Sequence, residues 1–199
     1  ATDHIASGLS FDAMTKVGGM LANNPEVCIH GAGGSAIALT IHFCNIEKSR
    51  CPAKIFVTDN NEKRLKHMEK VHKQMKYQIP IEYILCRTAK KNNNIVEKLR
   101  EGAIVINATG LGKDSPGSPI TDAVVFPKNG LVWDFNYRGD LMFLDQAKAQ
   151  QESRNLTIHD GWNYFIHGWL SVISEVFNII VPSEGPEFQE LSIIAANLR

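Results

Sequence analysis

Six consecutive residues, Gly31-Ala32-Gly33-Gly34-Ser35-Ala36, form the segment of this sequence best suited to hold a phosphate group. They follow a short apolar run, Val27-Cys28-Ile29-His30, and open a stretch of small apolar residues. In that strand–loop–helix order Gly31 permits a tight turn and Gly33 lets the backbone approach a pyrophosphate, while Ala36 allows the helix to pack closely on the strand. The N–H groups at the helix start then point at the phosphates, with the helix dipole behind them. The next apolar run, 54–58, ends in Asp59, about the distance expected of a carboxylate that accepts both hydroxyls of an adenosine ribose. Its charge repels a 2′-phosphate at close range. The positions after it are Asn60 and Asn61, with the cations Lys63 and Arg64 a helical turn later. NAD is therefore the expected cofactor, ahead of NADP. If Asp59 only caps the helix beginning near Glu62, that choice stays open.

Positioning such a loop takes a parallel sheet. Runs at 27–30, 54–58, 82–85, 103–107, 131–135 and 156–159 read as strands, several of them apolar without a break, as strands covered on both faces are. Helices are predicted between them at 35–44, 62–73, 94–100 and 141–150, with another at 11–21 before the first strand. This alternation is that of βαβ units, and the expected fold is an α/β, doubly wound (Rossmann-like) parallel sheet flanked by helices. After the last strand Phe165, Trp169, Val172, Ile173, Val176 and Phe177 share one helical face, as do Phe188, Leu191, Ile194, Ala195 and Leu198 further on. Core packing is the expected fate of most of these residues, with Pro182 and Pro186 punctuating the link.

Composition bounds the rest. A chain of 199 residues carries one full domain and at most a small appendage, and 44% hydrophobic with 21% charged residues is ordinary for a globular protein. A formal net charge of zero makes no electrostatic case for nucleic acid or an anionic membrane as partner. No apolar run approaches the roughly 20 residues of a bilayer span. The start, Ala1-Thr2-Asp3-His4, has no signal-peptide character and no initiator Met, as a processed product or a fragment would. Cys28, Cys44, Cys51 and Cys86 contain no C-x-x-C pair and read as buried reduced thiols, with no metal expected and a cytoplasmic compartment as the default. His30 and His159 end strands, where packing or loop hydrogen bonding is expected. His42, His67 and His72 read as helix-surface residues, and Trp133, Trp162 and Trp169 as mainly core. The loop 113–119 has turn chemistry throughout, and is either a lid or a surface loop stiffened by two prolines.

Later segments carry a resemblance to a known family. Val105-Ile106-Asn107-Ala108-Thr109-Gly110-Leu111-Gly112 resembles the Asn-Ala-Thr-Ser-x-Gly-Met element of shikimate dehydrogenases. Val132-Trp133-Asp134-Phe135-Asn136-Tyr137 resembles their Asp-x-x-Tyr element, and Asp160-Gly161-Trp162-Asn163-Tyr164-Phe165 stands where they have Gly-x-x-Met-Leu before a long helix. Thr2-Asp3 resembles the end of their Asn-Thr-Asp motif. The ordered set spans the whole chain and is similar to the cofactor-binding half of the shikimate/quinate dehydrogenase family.

The resemblance implies a division at 1–22 (hinge and linking helix), 23–160 (dinucleotide-binding domain) and 161–199 (helices returning toward a substrate domain that the chain lacks). It implies hydride transfer between a nicotinamide cofactor and a secondary alcohol of a cyclic polyhydroxy acid, in an assembly that includes a homodimer among its options. Asn107, Ala108, Thr109 and Gly161 would line the nicotinamide end, Tyr137 would bind the small-molecule substrate, and Asp3 would pair with a lysine for the proton. The sequence departs from the pattern in four places. That lysine has no counterpart here, and Lys113 does not replace it. The run from Asp3 to Gly8 is two residues longer than the family's. Arg138-Gly139-Asp140 replaces the proline expected after Tyr137, and Gly168 stands where a substrate-binding glutamine is expected, with His167 beside it. His167 or Arg138 is then the candidate for a substrate carboxylate, and Asp134 is expected to hold a loop in place. Two rivals stand beside this reading: a stand-alone NAD-binding regulatory module without turnover, and another enzyme built on the same cofactor domain. The Asp134/Tyr137 and Gly161 elements argue against the latter.

Overall fold

The computed structural model describes residues 3–16, 24–75 and 77–197 and, within those spans, all side chains except those at 3, 4, 16 and 49. Six strands, β1 (Glu26–His30), β2 (Lys54–Asp59), β3 (Ile81–Leu85), β4 (Ile104–Asn107), β5 (Leu131–Asp134) and β6 (Thr157–His159), form one sheet in the order β3-β2-β1-β4-β5-β6. Every pairing is parallel. This is the doubly wound α/β fold expected from the alternating pattern, and all six predicted strands are present. The order reverses at β1, which pairs with β2 on one side and β4 on the other, so the carboxyl ends of β1 and β4 open a crevice for a ligand.

Alternation along each strand builds two cores, one per face. Val27, Ile29, Ile104, Ile106, Leu131 and Trp133 pack beneath α1 (Asp3–Lys16), α2 (Gly34–Phe43) and α3 (Glu62–Gln74), with Phe11, Leu39, Phe43 and Met68 reaching down from the helices. Cys28, Val105 and Val132 point the other way, toward α4 (Ala89–Val96) and α5 (Met142–Lys148), against Val96, Phe143 and Ala147. Burial on both faces is why these strands carry unbroken apolar runs.

Several local expectations are corrected. Helix α4 starts at Ala89, not at 94, because Asn92 and Asn93 are drawn inward: Asn92 Nδ2 donates to Pro119 O (2.7 Å), and Asn93 exchanges hydrogen bonds with Thr121. Helix α1 starts at Asp3, earlier than expected, and positions 17–21 lie outside the described residues. The 141–150 helix is broken, with α5 ending at Lys148 and a short α6 (Gln151–Arg154) following. His72 is not a surface residue. It is buried, its Nε2 lies 2.8 Å from Thr40 Oγ1 and its Nδ1 2.6 Å from Tyr83 OH, and burial lowers its pKa to about 4. Thr40 donates to Ile37 O, so its oxygen accepts from Nε2–H and the Tyr83 hydroxyl donates to Nδ1. His42 is likewise mostly enclosed, 3.3 Å from Asp12 of α1. Cys28 and Cys86 are buried thiols, but Cys44 is exposed.

The largest correction concerns α7 (Trp162–Phe177) and α8 (Gly185–Ala196). Their apolar stripes are largely left out of the core, with Phe188 the buried exception: Trp169 is 55% exposed, Val176 69%, Phe177 68% and Ile194 54%. Helix α7 packs against α1 through its other side, leaving the stripe on the surface. Among the described residues no helix is long and apolar enough to cross a membrane.

Candidate functional site

The loop between β1 and α2 is shaped by Gly31. Its φ is +104°, and a Cβ there would stand 2.7 Å from the carbonyl oxygen of Ala108, so any side chain meets both backbone strain and the β4 loop. Its N–H donates to Thr58 O at 2.7 Å, tying the turn to β2. Gly33 caps α2, and a Cβ built at Gly33 or Gly34 meets nothing within 4 Å, so both face open space. Ala32 and Ala36 are buried. No side chain caps the first turn of this ten-residue helix, and Ser35 lies within that turn. The turn is left with N–H groups to offer an anion.

Asp59 is locked to the same loop. Its Oδ2 accepts from Ala32 N–H (2.8 Å) and its Oδ1 from Asn61 N–H (2.7 Å). The cap of α3 is Asn61, whose Oδ1 accepts from Lys63 N–H, so Asp59 is not the cap. Each Asp59 oxygen keeps lone-pair capacity for a hydroxyl donor. The carboxylate is thus held at a set distance from the glycine loop.

A cleft of about 770 Å³ runs over these residues, lined by Gly31, Gly33, Gly34, Asp59, Ala108 and Thr109. That volume suits a small-molecule or cofactor site. Its further walls combine residues already weighed in the sequence, Arg64 and the 113–119 loop, with the segment after β3 and Asn92, which sequence reasoning passed over. Arg64 and Arg87 bring cations to the Asp59 end, Cys86-Arg87-Thr88-Ala89 follow β3, and Asn92, Ser118 and Pro119 close the α4 side. Position just past a strand's carboxyl end was the only signal for Arg87; Asn92 had none. His30 also lines the cleft. It is fully buried, its Nδ1 lies 2.9 Å from Thr58 Oγ1, and its Nε2 has no partner. Burial lowers its pKa to about 4, so it is neutral at pH 7. An orphaned polar atom at this place, beside a glycine turn whose Cβ positions are open, fits a polar ligand such as a dinucleotide.

The wall at the other end is a hydrogen-bonded clamp. Asp134, wholly buried at the end of β5, accepts from Asn107 Nδ2 on both oxygens (3.1 and 3.1 Å) and from Asn136 N–H (2.8 Å). Asn107 Oδ1 accepts from Thr109 N–H and hydroxyl, while Asn136 Nδ2 donates to Thr109 O and Leu111 O. Every polar turn of the 107–111 loop is thereby held, as the loop-holding expectation for Asp134 required. Burial raises the Asp134 pKa to about 7 against the lowering by its donors, with Asp160 pushing it up further. The loop after it is pinned as well: Gly112 N–H donates to Ser115 O, and Ser118 Oγ to Gln146 Oε1, which favours a stiff loop over a lid. Lys113 is spent on Asp114 at 3.5 Å.

The remaining sequence candidates do not converge on one point. Gly161 caps α7 and donates to Asn136 O, and a Cβ there would strike Phe135 O, so glycine lets α7 start against the end of β5. Tyr137 is half-buried and stacks on Phe165 (4.1 Å between ring centres, 24° between planes), with Trp162 and Arg138 each about 6.0 Å away. His167 is two residues beyond Phe165, roughly 200° around the helix, on the opposite face. It stacks on Phe188 (4.3 Å, 9°), and burial lowers its pKa to about 4. It faces a second cavity, of about 410 Å³, lined also by Ile5 and Leu9 of α1. A neutral His167 carries no charge to set against a carboxylate, and it is not brought to Tyr137. Asp3 opens α1, and its side chain lies outside the described residues.

No family model matches the sequence, and no curated protein does. Solved structures do match by fold. Quinate dehydrogenase from Corynebacterium glutamicum in complex with NAD superposes with a TM-score of 0.70 at 18% identity, over 98% of this chain and 62% of that one. Shikimate 5-dehydrogenase from Listeria monocytogenes, in complex with shikimate and NAD, gives 0.66 at 15% identity, over 94% and 62%. The Thermus thermophilus enzyme in complex with NADP(H) and shikimate gives 0.63 at 17%, over 96% and 62%. The chain thus has the fold these dehydrogenases share over the matched part, in agreement with the resemblance carried by its motifs. It spans about 60% of the length of the structures it matches.

Proposed function

We propose that this chain is the cofactor-binding part of a nicotinamide-dependent oxidoreductase acting on a secondary alcohol of a cyclic polyhydroxy acid, of the shikimate or quinate kind. The observation that carries the reading is the convergence, at the switch point of the sheet, of a glycine turn open to phosphate, a carboxylate locked beside it, and a clamped polar loop on the next strand. In this reading the N–H groups at the start of α2 take the pyrophosphate, Asp59 takes the adenosine ribose hydroxyls, and the loop Asn107-Ala108-Thr109 with Gly161 borders the nicotinamide ribose. Bound there, a nicotinamide ring supplies the acceptor or donor of a hydride. Oxidation of an alcohol also releases a proton, and the resemblance assigns its handling to Asp3 together with a lysine outside this chain. Tyr137, its ring held by Phe165, is the residue of this chain set to orient the substrate, while His167 serves the α1 side of α7. The exposed stripe of Trp169, Val176 and Phe177 is the surface on which the substrate-binding portion would rest, in keeping with a match that covers only 62% of the quinate dehydrogenase chain.

NAD is favoured over NADP because Asp59, a buried carboxylate at the end of β2 assigned to the adenosine ribose, would repel a 2′-phosphate. Arg64 and Arg87 in the same cleft lessen that bias. Calorimetric titration with NAD and NADP in parallel tests the reading. Tighter NAD binding is expected, with a loss of roughly tenfold or more in Gly33→Val and in Asp59→Ala. Unchanged affinity in both variants would overturn the cofactor assignment; tighter NADP binding would keep the fold and reverse the role of Asp59.

A further inference from the structure

We infer that Asn92 reads the base of the bound dinucleotide, its Oδ1 accepting a hydrogen bond from the exocyclic amine of adenine; this rests on the dinucleotide reading above. The order of groups along the cleft places the base. The glycine turn at the end of β1 marks the pyrophosphate and Asp59 at the end of β2 the ribose, so the cleft continues to the end of β3, where Cys86-Arg87-Thr88-Ala89 line it. Asn92 stands one helical turn beyond Ala89 on α4 and lines the same cleft.

Its amide orientation is settled by chemistry. Pro119 O, a carbonyl, can only accept, so the group 2.7 Å from it is the NH2 of Asn92 and the oxygen is the atom left over. That oxygen has no hydrogen-bond partner, and the residue is only 8% exposed. A buried acceptor without a donor is costly, and a site left in that condition strongly favours a ligand that supplies the donor. Among the described residues whose buried polar atoms lack a partner, only His30 and Asn92 line the cleft, and His30 sits at the pyrophosphate end. Asn92 is therefore the acceptor assigned to the base. The neighbouring Cys86, Ala89 and Pro119 offer weakly polar surface to a flat ring. Reaching the sheltered oxygen takes the small side-chain adjustment that binding commonly brings. A hydrogen bond made there, away from water, is stronger than one at the surface.

The experiment compares NAD and NADP with their hypoxanthine counterparts, in which a carbonyl replaces the adenine amine. Isothermal titration of the chain is expected to show the adenine form binding roughly ten- to a hundredfold tighter, because the replacement sets two acceptor oxygens face to face. In Asn92→Ala that ratio is expected to fall to about one, with circular dichroism reporting that the fold is kept. Equal affinity of the adenine and hypoxanthine forms for the parent chain would overturn the assignment, as would an unchanged ratio in a folded Asn92→Ala. If that variant does not fold, the parental ratio alone decides. Binding of no dinucleotide at all would overturn the cofactor reading and this inference with it, a result distinct from equal binding of both forms.

Discussion

Replacing Asp134 by Asn removes a titration that the fold itself has displaced. In the native chain the Asp134 pKa is raised from 3.8 to about 7, first by burial and then by Asp160, against the lowering by Asn136 and Asn107. A carboxyl group whose folded pKa lies above its unfolded one binds its proton more tightly in the native state. Its contribution to stability is full below about 3.8, falls as the pH climbs, and is gone above about 7. A displacement of roughly three units corresponds to about 4 kcal/mol across that window, as an order of magnitude. Asn is neutral throughout, so the Asp134→Asn variant loses this slope. It also turns an NH2 toward Asn107 Nδ2, whose own oxygen is committed to Thr109, which costs about 1–2 kcal/mol at acid pH. Urea unfolding of both proteins at pH 4.5, 5.5, 6.5 and 7.5 measures the difference, and titration of other groups cancels from it. The variant is expected to be the less stable protein at pH 4.5 and the more stable one at pH 7.5. A stability difference constant from pH 4.5 to 7.5 would refute the argument that burial governs Asp134.

Two further outcomes follow from the packing. Gly31→Ala forces a Cβ into a φ of +104° and to within 2.7 Å of Ala108 O, and is expected to cost about 1–3 kcal/mol in thermal unfolding and to abolish NAD binding by calorimetry. The two tryptophans at opposite extremes of burial should part company in chemical denaturation: Trp133→Ala loses about 3–5 kcal/mol from a fully buried site, whereas Trp169→Ala, from a ring 55% exposed, changes stability by less than about 0.5 kcal/mol.

The fold class was legible because the strands that build it are covered on both faces and so are apolar without interruption, as 104–107 and 131–134 are. The glycine loop after β1 was legible for a related reason. A turn that must leave a strand, pass close to a neighbouring backbone and open a helix admits little but glycine, and Gly31 meets Ala108 O across exactly that gap between β1 and β4. Helix boundaries were less legible where side chains are recruited from afar: Asn92 and Asn93 lie before the helix expected at 94–100 and are held inside by Pro119 and Thr121, 27 and 28 residues away.

Local pattern, then, marked the six strands, the strand–helix alternation that makes their pairing parallel, and the residue types of the glycine turn and Asp59, since each is read from a short stretch of sequence. Tertiary structure alone decided which polar groups became buried and with what consequence. His72 was drawn between Thr40 and Tyr83, His30 and Asn92 were left with an atom unpaired beside the cleft, and Asp134 was carried into a clamp that moves its ionisation toward neutrality. It also decided that the apolar stripe of α7 faces outward, because α1 had already claimed the helix's other side. Periodicity names a face of a helix, but the partner that covers the face is set by packing between segments far apart in the chain.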